Sequence, residues 1–277
     1  MADDSGSLRS SLADRDWRFV SEESRSGAMN MALDEIAAET ASSGGPRTVR
    51  VYRWDPSCLS LGYRQDPETV DWAYCKRKGI DVVRRQTGGG GIYHDNVGDI
   101  SYSVVAPADE LPGDLLDCYS LLCEPVVEAF RRMGVFAEFA DEDLPAIHEP
   151  ACYLRAVNPA HDLVCGGRKI SGNAQYHQRD AVIQHGSLNF DLTIPDHLGV
   201  FSNPETTDEE FEGRVTSITN HADVTREEAV ETLEECLREW ADARTGGWTD
   251  QEIDDARLRA ERKYESEAWN RHRDDPT

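Results

Sequence analysis

Three short segments hold the residues best suited to chemistry. The first is Arg84-Arg-Gln-Thr-Gly-Gly-Gly-Gly-Ile-Tyr-His-Asp95. Four successive glycines are costly in backbone entropy, so they fit a place from which side chains must be absent. Consecutive exposed amides in such a loop can form an anion-binding concavity. The two arginines ahead of it add planar charged donors for a phosphate or carboxylate. A tight hairpin or flexible loop accounts for the same glycines. The run is not a Walker loop, because no Gly-Lys-Ser/Thr follows, and the strand-like residues after it exclude a dinucleotide fingerprint. The second segment is Gly166-Gly-Arg-Lys-Ile-Ser-Gly-Asn-Ala-Gln175, where Lys169 stands among glycines and apolar residues. The only other lysines are Lys76, Lys78 and Lys263. An ammonium in low-dielectric surroundings acts as a localised charge for a developing oxyanion or phosphate; an exposed turn lysine is the plainer alternative. The third is Gln184-His-Gly-Ser-Leu188, where His185 is either a base or a hydrogen-bonded structural residue at a strand end.

The elements that must position these segments alternate between strand and helix. Strand patterns cover 16–20, 48–52, 59–62 and 80–84, the last leading into the glycine run, and 100–105 leads out of it. A helix is expected from Ser26, with Ala28, Met31, Ala32 and Ile36 on one face, another from Glu68 to Gly79, and a long amphipathic one from Leu115 to Met133. A strand at 135–139 precedes 140–161, which has three prolines and little periodicity and reads as a functional loop. Residues 162–164 and 168–171 form a hairpin across Gly166-Gly167, a strand follows at 181–192, and helices are expected at 226–244 and 250–264. This pattern implies an α+β class, with mixed β-sheets packed against helices. We expect disorder over 1–14, a catalytic domain over 15–204, and a helical C-terminal segment over 205–277 packed on that same domain.

The bulk composition narrows the setting. With 53 acidic against 29 basic side chains, the 277-residue chain carries a formal charge of -24. Such a surface repels itself unless salt screens it, which points to a salt-accumulating halophile. No basic stripe is available to neutralise phosphates, so nucleic acid is disfavoured as a partner. No apolar run reaches the roughly 20 residues of a membrane helix, and residues 1–15 lack the apolar core of a signal peptide, so a cytoplasmic location is expected. Seven cysteines without a CxxC pair indicate neither a disulfide framework nor a zinc ribbon.

Taken together, Asn30-Met-Ala-Leu-Asp34, Tyr52-Arg-Trp-Asp-Pro56, Ser60-Leu-Gly62 with Gln65, Arg84–Asp95, Lys169–Ala174, His185-Gly186, and the tail residues Lys263-Tyr264 and Trp269-Asn270 resemble the family of lipoate–protein ligases and octanoyltransferases. The resemblance runs from about Trp17 to Asn270. It extends more remotely to biotin–protein ligases, whose arginine-rich loop is missing here. The resemblance implies a biotin/lipoate ligase-like catalytic domain that attaches an acyl group to a lysine of a carrier: a lipoyl domain of 2-oxoacid dehydrogenase complexes or the glycine cleavage H protein. It implies that Gly88, Gly89, Gly90 and Gly91 lie against the acyl chain or an adenylate, and that Arg84 and Lys169 contact phosphate or acyl carbonyl. Tyr93, His94, Ser171, Gly172, Ala174, His185 and Gly186 would complete the binding site.

Two chemistries compete within the resemblance. A ligase would use ATP and Mg²⁺ to convert lipoate into lipoyl-adenylate, with Lys169 on the carbonyl oxygen. Asp162, which follows His161 where many ligases show Asn-Asp-Leu, would steer the nucleotide or the metal. An octanoyltransferase would use no ATP and would carry the acyl group on a cysteine. One subgroup is similar to this chain in having Ala-Cys-Phe ahead of the lysine hairpin, where Ala151-Cys152-Tyr153 stands here. The sequence reading favours the ligase. A non-catalytic lipoate-binding or accessory subunit stays open, as does a need for a separate accessory chain.

Overall fold

The computed structural model describes residue 12 and residues 15–142, 144–157, 161–178 and 180–277. The expected disordered segment 1–14 therefore lies, apart from Leu12, outside the described residues. In chain order the elements are β1 (Trp17–Arg25), α1 (Gly27–Ser42), β2 (Arg47–Trp54), β3 (Cys58–Leu61), α2 (Trp72–Lys78), β4 (Asp81–Arg84), β5 (Ile92–His94), β6 (Asp99–Pro107), α3 (Leu115–Arg132) and β7 (Glu138–Phe139). They continue with β8 (Asp162–Cys165), β9 (Arg168–Gln178), β10 (Ala181–Asn189), α4 (Ile194–Gly199), α5 (Asp208–Arg214), α6 (Arg226–Ala241), β11 (Arg244–Thr245) and α7 (Asp250–Arg259). The class is α+β with mixed sheets, as expected.

Eight strands form one sheet in the order β11-β1-β2-β6-β10-β9-β8-β7, and β4-β3-β5 form a small second sheet. The β1–β2 and β3–β4 pairs are parallel, whereas β2–β6–β10–β9–β8 is antiparallel throughout. One face of the large sheet packs Val49, Val51, Ile100 and Val104 against Leu122, Val126 and Phe130 of α3 and Leu233, Leu237 and Trp240 of α6. The opposite side is covered by α1, whose Ala28, Met31, Ala32 and Ile36 join Tyr52, Trp54, Tyr264 and Trp269. α1 is buried nearly all round because the C-terminal segment lies over its outer side. The ends of these helices follow their caps. Ser26 accepts from Met29 N–H at the start of α1. Gly79, at φ 68°, closes α2 in the left-handed region.

Some bounds differ from the sequence reading for local reasons. The strand expected over 135–139 shrinks to Glu138–Phe139. The helix expected over 226–244 stops at Ala241, where Asp242 turns to φ 47°. The helix expected over 250–264 passes at Ala260 into a π-type turn, Ala260–Tyr264, and a second one spans Ala268–His272. No helix among the described residues is long and apolar enough to cross a membrane.

Candidate active site

The β8–β9 hairpin places the lysine. Gly166 and Gly167 have φ of 57° and 74°, the paired left-handed geometry of a tight two-residue turn. In a regular ladder, residues an odd number apart on β9 face opposite sides. Here the register slips between Leu163 and Val164, so that Lys169 pairs with Val164 while Gly172 pairs with Asp162. The slip is a β-bulge, and it brings Lys169 onto the side of Asp162. Lys169 Nζ lies 2.8 Å from Asp162 Oδ1, both side chains being about 97% buried or more. Burial pulls the ammonium down, yet Cys152 and Asp162 beside it raise it above its ordinary value. Burial pushes the Asp162 carboxyl up, but Lys169 and His161 carry it down to about 2. The pair is therefore ionised throughout the physiological range.

Cys152 opens a short 3₁₀ turn, Cys152–Leu154. Lys169 Nζ donates to its carbonyl at 3.3 Å and stands 3.9 Å from its Sγ. Tyr153 anchors the turn, its hydroxyl 2.9 Å from Ser187 Oγ and its ring 5.5 Å beneath Lys169 Nζ. Cys152 is half-buried, whereas the other six cysteines are buried. Where pKa shifts are resolved among those six, burial raises the thiol. Thiolate chemistry thus has one accessible cysteine, set beside an ammonium.

The glycine run divides by function. Gly91 N–H donates to Pro150 O at 2.7 Å and its carbonyl accepts from Cys152 N–H at 2.8 Å. A Cβ on Gly90 would sit 2.7 Å from Pro150 O and 2.9 Å from Cys152 N, so this glycine is needed for close approach to the cysteine loop. Gly90 and Gly91 thus meet residues 150–152 rather than the cavity. Gly88 and Gly89 do border the cavity, about 230 Å³ in volume, together with Cys152, Asp162, Gly172, Ala174 and Gly186. Met31, Tyr52, Trp54 and Ile92 also line it. The cavity is thus bordered by the Cys152 thiol, beside which the Lys169 ammonium stands, and its lining is more apolar than polar, as small-molecule sites are.

Sequence reasoning selected Arg84, but Arg85 is the arginine at this wall. Arg84 is fully buried, donating to the carbonyls of Asn270, Gly62, Tyr63 and Gln65 at 2.8–3.1 Å. It does not reach the cavity. Arg85 donates to Gly88 O at 2.9 Å and Gly90 O at 2.7 Å, fixing the loop. It also donates to Thr87 Oγ1 at 3.0 Å and Ser60 Oγ at 3.3 Å. Both hydroxyls lead to a histidine: Thr87 lies 2.8 Å from His185 Nε2, and Ser60 lies 2.8 Å from His94 Nε2. His185 Nδ1 faces Asp34 at 3.6 Å and His94 Nδ1 faces Asp99 at 2.8 Å. Each hydroxyl that accepts from Arg85 keeps its own proton to donate onward to Nε2, an arrangement that matches a ring proton on Nδ1 toward the carboxylate. Burial lowers the His185 pKa despite Asp34. Both histidines line the cavity, each held between a hydroxyl and a carboxylate.

The remaining expected residues fall elsewhere. Tyr93 packs edge-on against His197 and is not at the cavity, and Ser171 is buried within β9 without lining it. Asp162, the expected Mg²⁺ contact, is engaged by Lys169, and no group of three His, Cys, Asp or Glu side chains among the described residues could hold a metal ion. Asp34, Ser60, Thr87, Asn173 and Ser187 stood within the segments named from sequence but were given no role there, and Asp99 was not named. Alternation on β4 could have hinted at Arg85, but the buried acids have no local signal.

Comparison with known proteins gives this geometry a family. Residues 26–238 match the family model described as the lipoyl protein ligase A/B catalytic domain. Octanoyltransferase LipM of Anoxybacillus flavithermus is 32% identical over 274 residues, covering 92% of this chain and 97% of that one. LipM of Kyrpidia tusciae is 34% identical, covering 92% and 98%. Among solved structures, a lipoate-protein ligase A bound with ATP is similar at 28% identity and a TM-score of 0.76, covering 92% of this chain and 98% of that chain. The bi-partite lipoate protein ligase of Thermoplasma acidophilum, described with its E2 lipoyl domain, matches at 26% identity and a TM-score of 0.76, covering 93% and 96%. The chain belongs to the lipoyl protein ligase A/B family, the enzymes of lipoate attachment and octanoyl transfer.

Proposed function

We propose that this chain is an octanoyltransferase that moves an octanoyl or lipoyl group from a thioester donor to a lysine of a carrier protein through a Cys152 thioester. The observation that carries this reading is Cys152 Sγ, half-buried, lining the cavity and 3.9 Å from the buried Lys169 ammonium. The LipM relatives support it. The ligase favoured on sequence is set aside because the cations expected to grip a triphosphate are committed elsewhere. Arg84 and Arg85 spend their donors on carbonyls and hydroxyls, and Lys169 is paired with Asp162.

In the first half-reaction the Cys152 thiolate, held by Lys169, attacks the donor's thioester carbonyl. The oxyanion collapses, the donor sulfur leaves as a thiolate and takes up a proton, and the acyl group stays on Cys152. In the second, the neutral amine of the carrier lysine attacks that acyl carbonyl. The C–S bond breaks, Cys152 leaves as a thiolate again stabilised by Lys169, and the amine's proton is lost to solvent. Carriers of the fitting kind are lipoyl domains of 2-oxoacid dehydrogenase complexes and the glycine cleavage H protein. The test is incubation with an octanoyl acyl-carrier thioester. The protein should gain one octanoyl mass on Cys152, pass it to a lipoyl domain, and lose both steps in Cys152→Ala. Full activity of Cys152→Ala with ATP, Mg²⁺ and free lipoate, with pyrophosphate released, would restore the ligase.

A further inference from the structure

The small sheet leaves β4 at its edge, paired only with β3. An open edge carries unpaired amides and carbonyls that some other segment must take. The C-terminal tail takes them: Arg84 N–H donates to Asn270 Oδ1 at 2.7 Å, and Arg84 O accepts from Trp269 Nε1 at 2.7 Å. The Asn270 carbonyl accepts both Nε and Nη2 of Arg84, at 3.1 and 2.8 Å. The third arm of Arg84, Nη1, then holds Gly62 O, Tyr63 O and Gln65 O at 2.8–3.0 Å. That turn is the ledge under the glycine wall, so close that a Cβ on Gly62 would lie 1.9 Å from Gly89 O. A second strand of contacts runs in parallel. Glu35, buried in α1, accepts from Lys263 Nζ at 2.9 Å and Tyr264 hydroxyl at 2.7 Å, and also from Gln86, the residue that enters the glycine loop. Both π-type turns of the tail, a geometry often retained at working sites, supply these residues.

We propose that Asn270 and Trp269 are positioning residues for acyl transfer: the tail caps the β4 edge and, through Arg84 and the 62–65 turn, sets the position of the Gly88–Gly89 wall against which the acyl chain lies. The proposal rests on the reading of the cavity as the acyl site. None of these tail groups touches the cavity, so the effect is relayed through Arg84.

The full-length chain tests it with Asn270→Ala and with Trp269→Phe, which removes one hydrogen bond and keeps an aromatic ring. Two readouts are compared: octanoylation of Cys152 by an octanoyl thioester, and alkylation of Cys152 by iodoacetamide, which needs no acyl pocket. The six other cysteines are buried, so native-state alkylation reports Cys152. We expect octanoylation to slow by about 10–100-fold in Asn270→Ala and by less in Trp269→Phe, as a misplacement near 1 Å would do, while alkylation stays unchanged. Amide hydrogen exchange at 86–91 should quicken in both, which is a readout independent of the chemistry. If Asn270→Ala does not fold, Trp269→Phe carries the comparison alone. Unchanged exchange at 86–91 with unchanged octanoylation overturns the proposal. So does a parallel fall in octanoylation and alkylation, which would signal general loosening. Failure of the wild type to accept octanoyl on Cys152, with exchange at 86–91 still quickened in the variants, would count against the transferase while leaving the tail's positioning role standing.

Discussion

If Cys152 carries an acyl group as proposed, Asp162→Asn should convert the Lys169 ammonium into a target of acyl transfer. The substitution preserves shape but replaces the charge 2.8 Å from Lys169 Nζ by a neutral amide oxygen, leaving that oxygen, Cys152 O at 3.3 Å and Sγ at 3.9 Å as acceptors. From the acid's side, lowering its pKa from 3.8 to about 2 corresponds to about 2 kcal/mol at roughly 1.36 kcal/mol per unit. From the amine's side, a buried charge that loses its partner typically costs about 3–5 kcal/mol unless it neutralises. We therefore expect a loss of about 3 kcal/mol, a fall in Tm of about 6–12 °C at this chain length. Lys169 relieves the strain by shedding its proton, because burial is then the dominant influence on it. A neutral amine beside an acyl-cysteine attacks the carbonyl. An amide forms, the C–S bond breaks, and the departing Cys152 sulfur takes the amine's proton. Incubated with an octanoyl thioester, wild type should carry an adduct that hydroxylamine removes, and Asp162→Asn one that resists it and maps to Lys169. A Tm within 1–2 °C of wild type, together with an adduct that stays hydroxylamine-labile and forms at the wild-type rate, would refute the argument.

Other outcomes follow from the same geometry. Because the folded-state pKa of Asp162 is depressed, its contribution is present above the unfolded value near 4 and lost as pH falls toward 2; the Tm gap between wild type and Asp162→Asn should close over that window, and a constant gap would contradict the pairing. Gly62→Ala must displace Gly89 O, which a Cβ would meet at 1.9 Å, so kcat/KM should fall about 100-fold with a modest loss of stability; wild-type kinetics would show that the wall does not need this contact. With a formal charge of -24, the chain should melt at markedly lower temperature in about 0.01 M than in about 1 M salt, where the Debye length shortens from roughly 30 to 3 Å; a flat salt titration would remove the halophile reading.

What could be read from sequence was what depends on neighbours along the chain. The 3.6-residue periodicity gave α1, α3 and α6, the paired glycines gave the β8–β9 turn, and the scarcity of lysine drew attention to Lys169. Partnerships made across the fold were not readable. Whether Arg84 or Arg85 faces inward depends on which side of β4 receives the tail, and both are buried. Gly90 and Gly91 looked like a ligand cradle because nothing local reveals that residues 150–152 pass within hydrogen-bonding distance. Asp34 and Asp99 look like ordinary surface acids until Arg50, His185 and His94 are placed around them. Proline at 125 did not interrupt α3, which continues through it to Arg132.

The slip in register between Leu163 and Val164 separates the outline of this protein from its reactivity. Inserting one residue into β8 between Leu163 and Val164 would restore an even ladder, leave the sheet order and helix layers intact, and turn the amine to the face opposite Asp162. A relative could therefore superpose closely on this chain and yet be inert. Among such relatives, the residue count between Asp162 and the turn glycines is a better guide to activity than similarity of shape.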